Sequence, residues 1–127
     1  MAFEVLITEQ AFDDLDAIAG YIKENSSLER ARKWFTAIVA TIETLQELPA
    51  RRPLAEESEE LGQEVRLLLH GRRNRAYKIY FTIQYETSQI GTVRVFHIRH
   101  WARKGVAADE FRDLVNELDQ RGESEDT

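Results

Sequence analysis

Cysteine is absent from this chain of 127 residues. Disulfide frameworks, thiolate nucleophiles and cysteine–zinc sites are excluded together. Only two prolines and six glycines punctuate the chain, so most of its length is free to form regular elements. Long apolar runs are missing too: none approaches the roughly 20 residues that span a bilayer. The opening MAFEVLITEQ lacks the basic and apolar regions of a secretory signal. The expectation is a soluble, cytoplasmic protein with no membrane partner.

What is present is a globular composition. Hydrophobic residues make up 43% and charged residues 31%, enough for a packed core and too apolar for global disorder. The length fits one domain. A net charge of −6 would argue against an anionic partner if it were evenly spread, but it is segregated. Residues 1–65 carry 6 cations and 14 carboxylates (−8), and residues 106–127 carry 2 and 8 (−6). Residues 66–105 hold nine cations (Arg66, Arg72, Arg73, Arg75, Lys78, Arg94, Arg99, Arg103, Lys104) against Glu86 alone, giving +8. Such segregation suggests one basic face on an acidic body, unless folding intermixes the segments.

Residues 3–7 form a β-prone run ended by Thr8, which can N-cap a helix with Glu9 in its first turn. Phe12, Leu15, Ile18 and Ile22 recur at helical spacing opposite Asp13, Asp14 and Asp16, predicting a helix that ends near Asn25. Ser26 and Glu29 form a capping-box pattern for a second helix. Its stripe is Ala31, Phe35, Ile38, Ile42 and Leu45, and Pro49 stops it. Two helices so closely joined form an antiparallel hairpin. Residues 49–64, with both prolines and the run EESEELG, read as a solvated loop.

From Glu64 the period falls to two. Val65, Leu67 and Leu69 alternate with Arg66, Leu68 and His70. After a turn at Gly71–Asn74, Tyr77, Ile79, Phe81, Ile83 and Tyr85 alternate with Lys78, Tyr80, Thr82 and Gln84. A loop over Ser88–Thr92 leads to a strand at 93–101 whose alternation slips at Val95–Phe96, as a β-bulge would produce. Beyond Gly105, Phe111, Leu114, Val115 and Leu118 stripe an acidic helix. The predicted class is α+β: an N-terminal strand and a helix hairpin on one face of an antiparallel sheet, plus that acidic C-terminal helix. Val65, Leu67, Leu69, Ile79, Phe81 and Ile83 are expected to face the helices. Arg66, Lys78 and Tyr80 then share the opposite, open face. Residues 1–105 read as one domain and 106–127 as an acidic helix and tail, which either packs on the body or covers part of the basic face.

Several short motifs, in order, resemble the RelE/ParE toxin superfamily. They are the Thr-Glu-Gln-Ala helix start at Thr8, the Tyr21-Ile22 near its end, and the Leu45-to-Pro49 stretch closing the second helix. Arg66-Leu67, Gly71, Tyr77-Lys78-Ile79-Tyr80 and Ile98-Arg99-His100-Trp101-Ala102-Arg103 complete the set, which covers about residues 3–104. Each is weak alone; the ordered set carries the resemblance. It implies a growth-inhibiting toxin of a type II toxin–antitoxin system, of the kind linked to plasmid stabilization. Its partner would be a cognate antitoxin, and its target messenger RNA on the ribosome or DNA gyrase. A homodimer is also conceivable on these grounds.

An RNA-cleaving member needs a base, an acid for the leaving oxygen and cations for the phosphorane. The resemblance assigns His100 as acid or base, with Arg66, Lys78, Arg99 and Arg103 on the phosphate. Arg72, Arg73, Arg75, Tyr80 and Lys104 would supply RNA-binding or target contacts. The family's strand motif usually reads Tyr-Arg; here it is Tyr77-Lys78, which keeps the charge but loses the bidentate grip. A gyrase-directed member needs no catalytic residue, and the His100-to-Arg103 ending is common among ParE-like chains. An inactive toxin-like protein that only binds an antitoxin is the remaining reading. His97 and His100, three apart on a regular strand, point to opposite faces, so metal binding is not expected. No cofactor is implied.

Overall fold

The computed structural model describes residues 3–72 and 75–101. Strand β1 (Phe3–Ile7) runs straight into helix α1 (Glu9–Asn25). Thr8 caps the junction, its hydroxyl accepting the amide of Ala11 at 3.2 Å. Helix α2 (Leu28–Glu43) starts one residue later than the capping-box pattern implies. Its cap is Ser27, which accepts the Arg30 amide at 3.1 Å, while the Ser26 hydroxyl takes the Arg30 guanidinium at 3.2 Å. Two short 3₁₀ turns, Thr44–Gln46 and Pro49–Arg51, then bring the chain to a five-residue helix α3 (Glu57–Leu61). Strands β2 (Arg66–His70), β3 (Tyr77–Tyr85) and β4 (Gly91–His100) follow.

The sheet order is β1-β4-β3-β2. The last three strands are antiparallel neighbours, as short hairpins require. β1 returns through the helix pair and lies parallel to β4, which makes the sheet mixed where an antiparallel one was expected. The connection after β1 leads to β2 at the opposite edge, and the two antiparallel steps β2–β3 and β3–β4 bring β4 back beside β1 in the direction that β2 has. At the start of β4 a side chain on Gly91 would run into the Gln84 carbonyl, so only glycine admits this close strand approach.

The helix hairpin covers one face. Leu15, Ile38, Ile42 and Leu45 meet Leu68, Ile79, Phe81, Val93, Val95 and Ile98 in the main core. Each such fully buried side chain contributes on the order of 2 kcal/mol. On α1 the buried positions are Ala11 and Leu15; Phe12, expected on the apolar stripe, is 45% exposed.

The expected phase of β2 is reversed. Leu68 pairs with Ile79 and faces the hairpin, carrying Arg66 and His70 to the same side. Val65 and Leu67 point the other way, onto Tyr80, Phe96 and Ala55 in a second small core. The reason is that residues 53–64 are no solvated loop. The Ala55 amide donates to the Val65 carbonyl at 2.7 Å and the Leu67 amide to the Pro53 carbonyl at 3.0 Å. Ser58 is buried, accepting the Val65 amide at 2.8 Å and donating to the Val65 carbonyl at 2.6 Å. Gly62, with φ of 67°, ends α3 in the left-handed conformation that glycine favours. With both faces of β2 covered, alternation alone does not say which face is which.

Between Tyr80 and Phe81 the β3–β4 register shifts, with Phe96 left as the extra residue of the bulge expected there. Among the described residues no helix is long and apolar enough to cross a membrane. The acidic helix expected after Gly105 lies outside the described residues.

Candidate functional site

Of the charged residues singled out in the sequence, Arg72, Arg75, Lys78, Arg99 and His100 lie at one end of the sheet. There β2 runs out at His70, β3 begins at Tyr77, and β4 ends at His100. His70, Tyr77 and His100 form a row across the three strands. The next row is Leu69, Lys78 and Arg99. Adjacent rows point to opposite sides of a pleated sheet, and this fact governs the site.

On the hairpin side, the rings of His100 and Tyr77 meet edge to face at 5.2 Å, and Tyr77 meets Trp34 of α2 in the same way at 5.2 Å. Burial, and secondarily Tyr21, pushes the Tyr77 phenol above its ordinary range, so it stays protonated at neutral pH. His70 Nδ1 lies 2.8 Å from the Thr41 hydroxyl, which itself donates to the Ala37 carbonyl. A hydroxyl has one proton to give, so the imidazole Nδ1 is the donor in this contact. Burial lowers the His70 pKa from the usual value.

Lys78 and Arg99 stand directly opposite each other on the second face, away from the hairpin. Arg99 Nε is buried and has no hydrogen-bond partner among the described residues. Arg72 and Arg75 are exposed in the β2–β3 turn at the same end, closed by the Arg75 amide on the Arg72 carbonyl at 3.1 Å.

Two members of the expected open face are not open there: Arg66 is on the other side and Tyr80 is covered. Arg66 shares the hairpin side with Phe81, and its guanidinium is taken up locally. It donates to the Arg52 carbonyl at 2.6 Å and lies 3.6 Å from a Glu64 carboxylate oxygen, with its side chain 16% exposed. Arg66 therefore braces the loop before α3. Tyr80 does lie on the second face, but α3 covers it: it is 1% exposed, stacked on His97 at 5.9 Å, with its hydroxyl 3.5 Å from Glu57. Burial and the neighbouring carboxylate raise its pKa far above the usual phenol value. A ring so enclosed offers no surface for a base to stack on. Arg73, Arg103 and Lys104 lie outside the described residues.

Sequence reasoning missed the tie between Asp14 and His97, which fastens α1 to β4. Asp13, Asp14 and Asp16 read as one acidic stripe, and only the edge position of Asp14 separates it from its neighbours. Chemically, the assembled end offers a cationic surface on one side and an aromatic, histidine-bearing surface on the other. No group of three potential metal ligands exists among the described residues.

A family model described as the ParE toxin of the type II toxin–antitoxin system parDE matches residues 5–105. No curated protein matches the chain significantly. The solved structure of a chromosomal ParDE TA system from P. aeruginosa is similar to this fold, with a TM-score of 0.59 and 24% sequence identity. The similarity covers 79% of this chain and 95% of that one.

Proposed function

The chain belongs to the ParE toxin family of type II toxin–antitoxin systems, and on that premise we propose that it inhibits growth by binding DNA gyrase, without cutting messenger RNA. A cognate antitoxin is its neutralising partner. The observation that supports a binding mode is the division of the RNA-cleaving set. His100 is on the hairpin side of the sheet and Lys78 and Arg99 are on the other. General acid–base chemistry on a phosphodiester needs proton donor, proton acceptor and cations within hydrogen-bond reach of one phosphate. Placement on opposite faces of the sheet does not favour that convergence, and Arg66 is already engaged with Arg52 and Glu64. A binding toxin has no such requirement. The cationic end formed by Arg72, Arg75, Lys78 and Arg99 serves as an electrostatic docking surface for an anionic target.

Expression of the chain alone tests the reading. Double-strand DNA breaks and filamentous cells, with intact messenger RNA, are the expected outcome. Codon-specific RNA fragments in translating extracts, lost in His100→Ala, would reject it in favour of the nuclease. Growth without either lesion would identify a protein that binds only its antitoxin.

A further inference from the structure

The second face of the sheet is covered only in part. Ala55 and α3 lie over Val65, Tyr80 and Phe96. In the Leu69–Lys78–Arg99 row next to them, Leu69 is 54% exposed and Lys78 and Arg99 are half-buried. Trp101, which strand alternation puts on the same side as Arg99, is 50% exposed. Within this patch Arg99 Nε is buried and has no acceptor among the described residues, an arrangement that costs free energy until an oxygen is brought to it. The patch therefore fits an occupant that presents carboxylates and apolar side chains together.

The chain carries such a segment. Residues 106–127 have a net charge of −6, and in residues 109–119 Asp109, Glu110, Asp113, Glu117 and Asp119 are interleaved with Phe111, Leu114, Val115 and Leu118. Asp109 follows Trp101 by eight residues. At about 3.3 Å per residue the connection easily spans the patch, and a short tether gives an effective concentration on the order of millimolar. We propose that residues 109–119 dock on the surface formed by Leu69, Lys78, Arg99 and Trp101, carboxylates on the two cations and apolar side chains on the leucine and tryptophan. α3 is an intrachain precedent on the same face: Glu57 approaches the Tyr80 hydroxyl, beside which Arg99 also acts electrostatically. The inference concerns the chain by itself and holds whichever target the toxin has.

Zero-length carbodiimide coupling of the full chain, at high dilution and with isotopically light and heavy copies mixed, tests it. Peptide mapping is expected to find Lys78 joined to one of the five carboxylates of residues 109–119 within a single copy. Yield should fall several-fold in Arg99→Glu, checked for folding by circular dichroism. It should fall similarly in wild type at 1 M salt, where screening acts within about 3 Å. Lys78 coupled only to other carboxylates overturns the proposal. Light–heavy products would assign the patch to a second copy and overturn it equally, as would a yield indifferent to salt.

Discussion

Asp14 and His97, 83 residues apart, meet at the stretch of β4 edge that β1 leaves unpaired. One carboxylate oxygen lies 2.9 Å from His97 Nδ1 and accepts the Ile98 amide at 3.0 Å. Both side chains are largely buried, at 12% and 16% exposure. α1 is thereby fastened to the sheet by a polar contact as well as by its apolar stripe.

Removing the carboxylate leaves a buried amide and an imidazole without their acceptor. Asp14→Ala is expected to lower unfolding free energy by about 3 kcal/mol, measured by urea denaturation. Asp13→Ala, one position along on the exposed side, should cost well under 1 kcal/mol. Equal effects of the two substitutions would remove the special role of Asp14.

Ser58 closes the cover over Tyr80 through two bonds to Val65. Ser58→Ala should cost about 2 kcal/mol, and the loss should be local. Hydrogen exchange is expected to speed up at Val65 and through α3 while the α1 and α2 amides keep their protection. Unchanged exchange at Val65 would show that the clip is idle.

Stability should fall at both ends of the pH scale for identified reasons. The Tyr80 pKa is raised in the folded state, so its contribution is complete below the ordinary phenol value near 10 and declines as pH rises beyond it. Tyr80→Phe should flatten that alkaline decline. The His70 pKa is lowered, so stability holds above about 6.5 and is lost as pH falls below it. His70→Gln should shift the acid limb and leave the alkaline limb unchanged.

Toxicity should follow the cationic surface. Charge reversal at Arg75 or Lys78 is expected to weaken growth inhibition at least about tenfold in inducer dose, a loss of roughly 1.4 kcal/mol in target binding. His100→Ala should leave it intact. The opposite pattern, with His100 essential and the cations dispensable, would restore the nuclease reading.

Much of this architecture is legible in the sequence because its elements are punctuated. Thr8 and the Leu15–Ile18–Ile22 spacing define α1, and the Tyr77–Tyr85 alternation defines β3. The slip at Val95–Phe96 marks the bulge. What failed did so where two environments compete for one pattern. β2 has leucine at three consecutive positions, 67 to 69, so period two gives no phase until the cover over Val65 is known. α3 is too short, at five residues, for helical periodicity to register, and only Gly62 marks its end. The misplacement of Arg66 follows from the same difficulty, because alternation alone reads β2 in the inverted phase.

The extra residue at Phe96 decides which residue numbers of β4 fall on each side of the sheet. Before it, the odd-numbered residues Gly91, Val93 and Val95 pair with Tyr85, Ile83 and Phe81 on the hairpin side; after it, that side belongs to the even-numbered Ile98 and His100. Phe96 is thus a parity switch in the strand. Excising that one amino acid would set His97 directly after Val95 in a regular ladder, so Ile98, Arg99 and His100 would keep their partners and their faces. A one-codon deletion there should therefore straighten the strand and empty the Phe96 place beside Tyr80 and Val65, while the chemistry of both surfaces stays as it is.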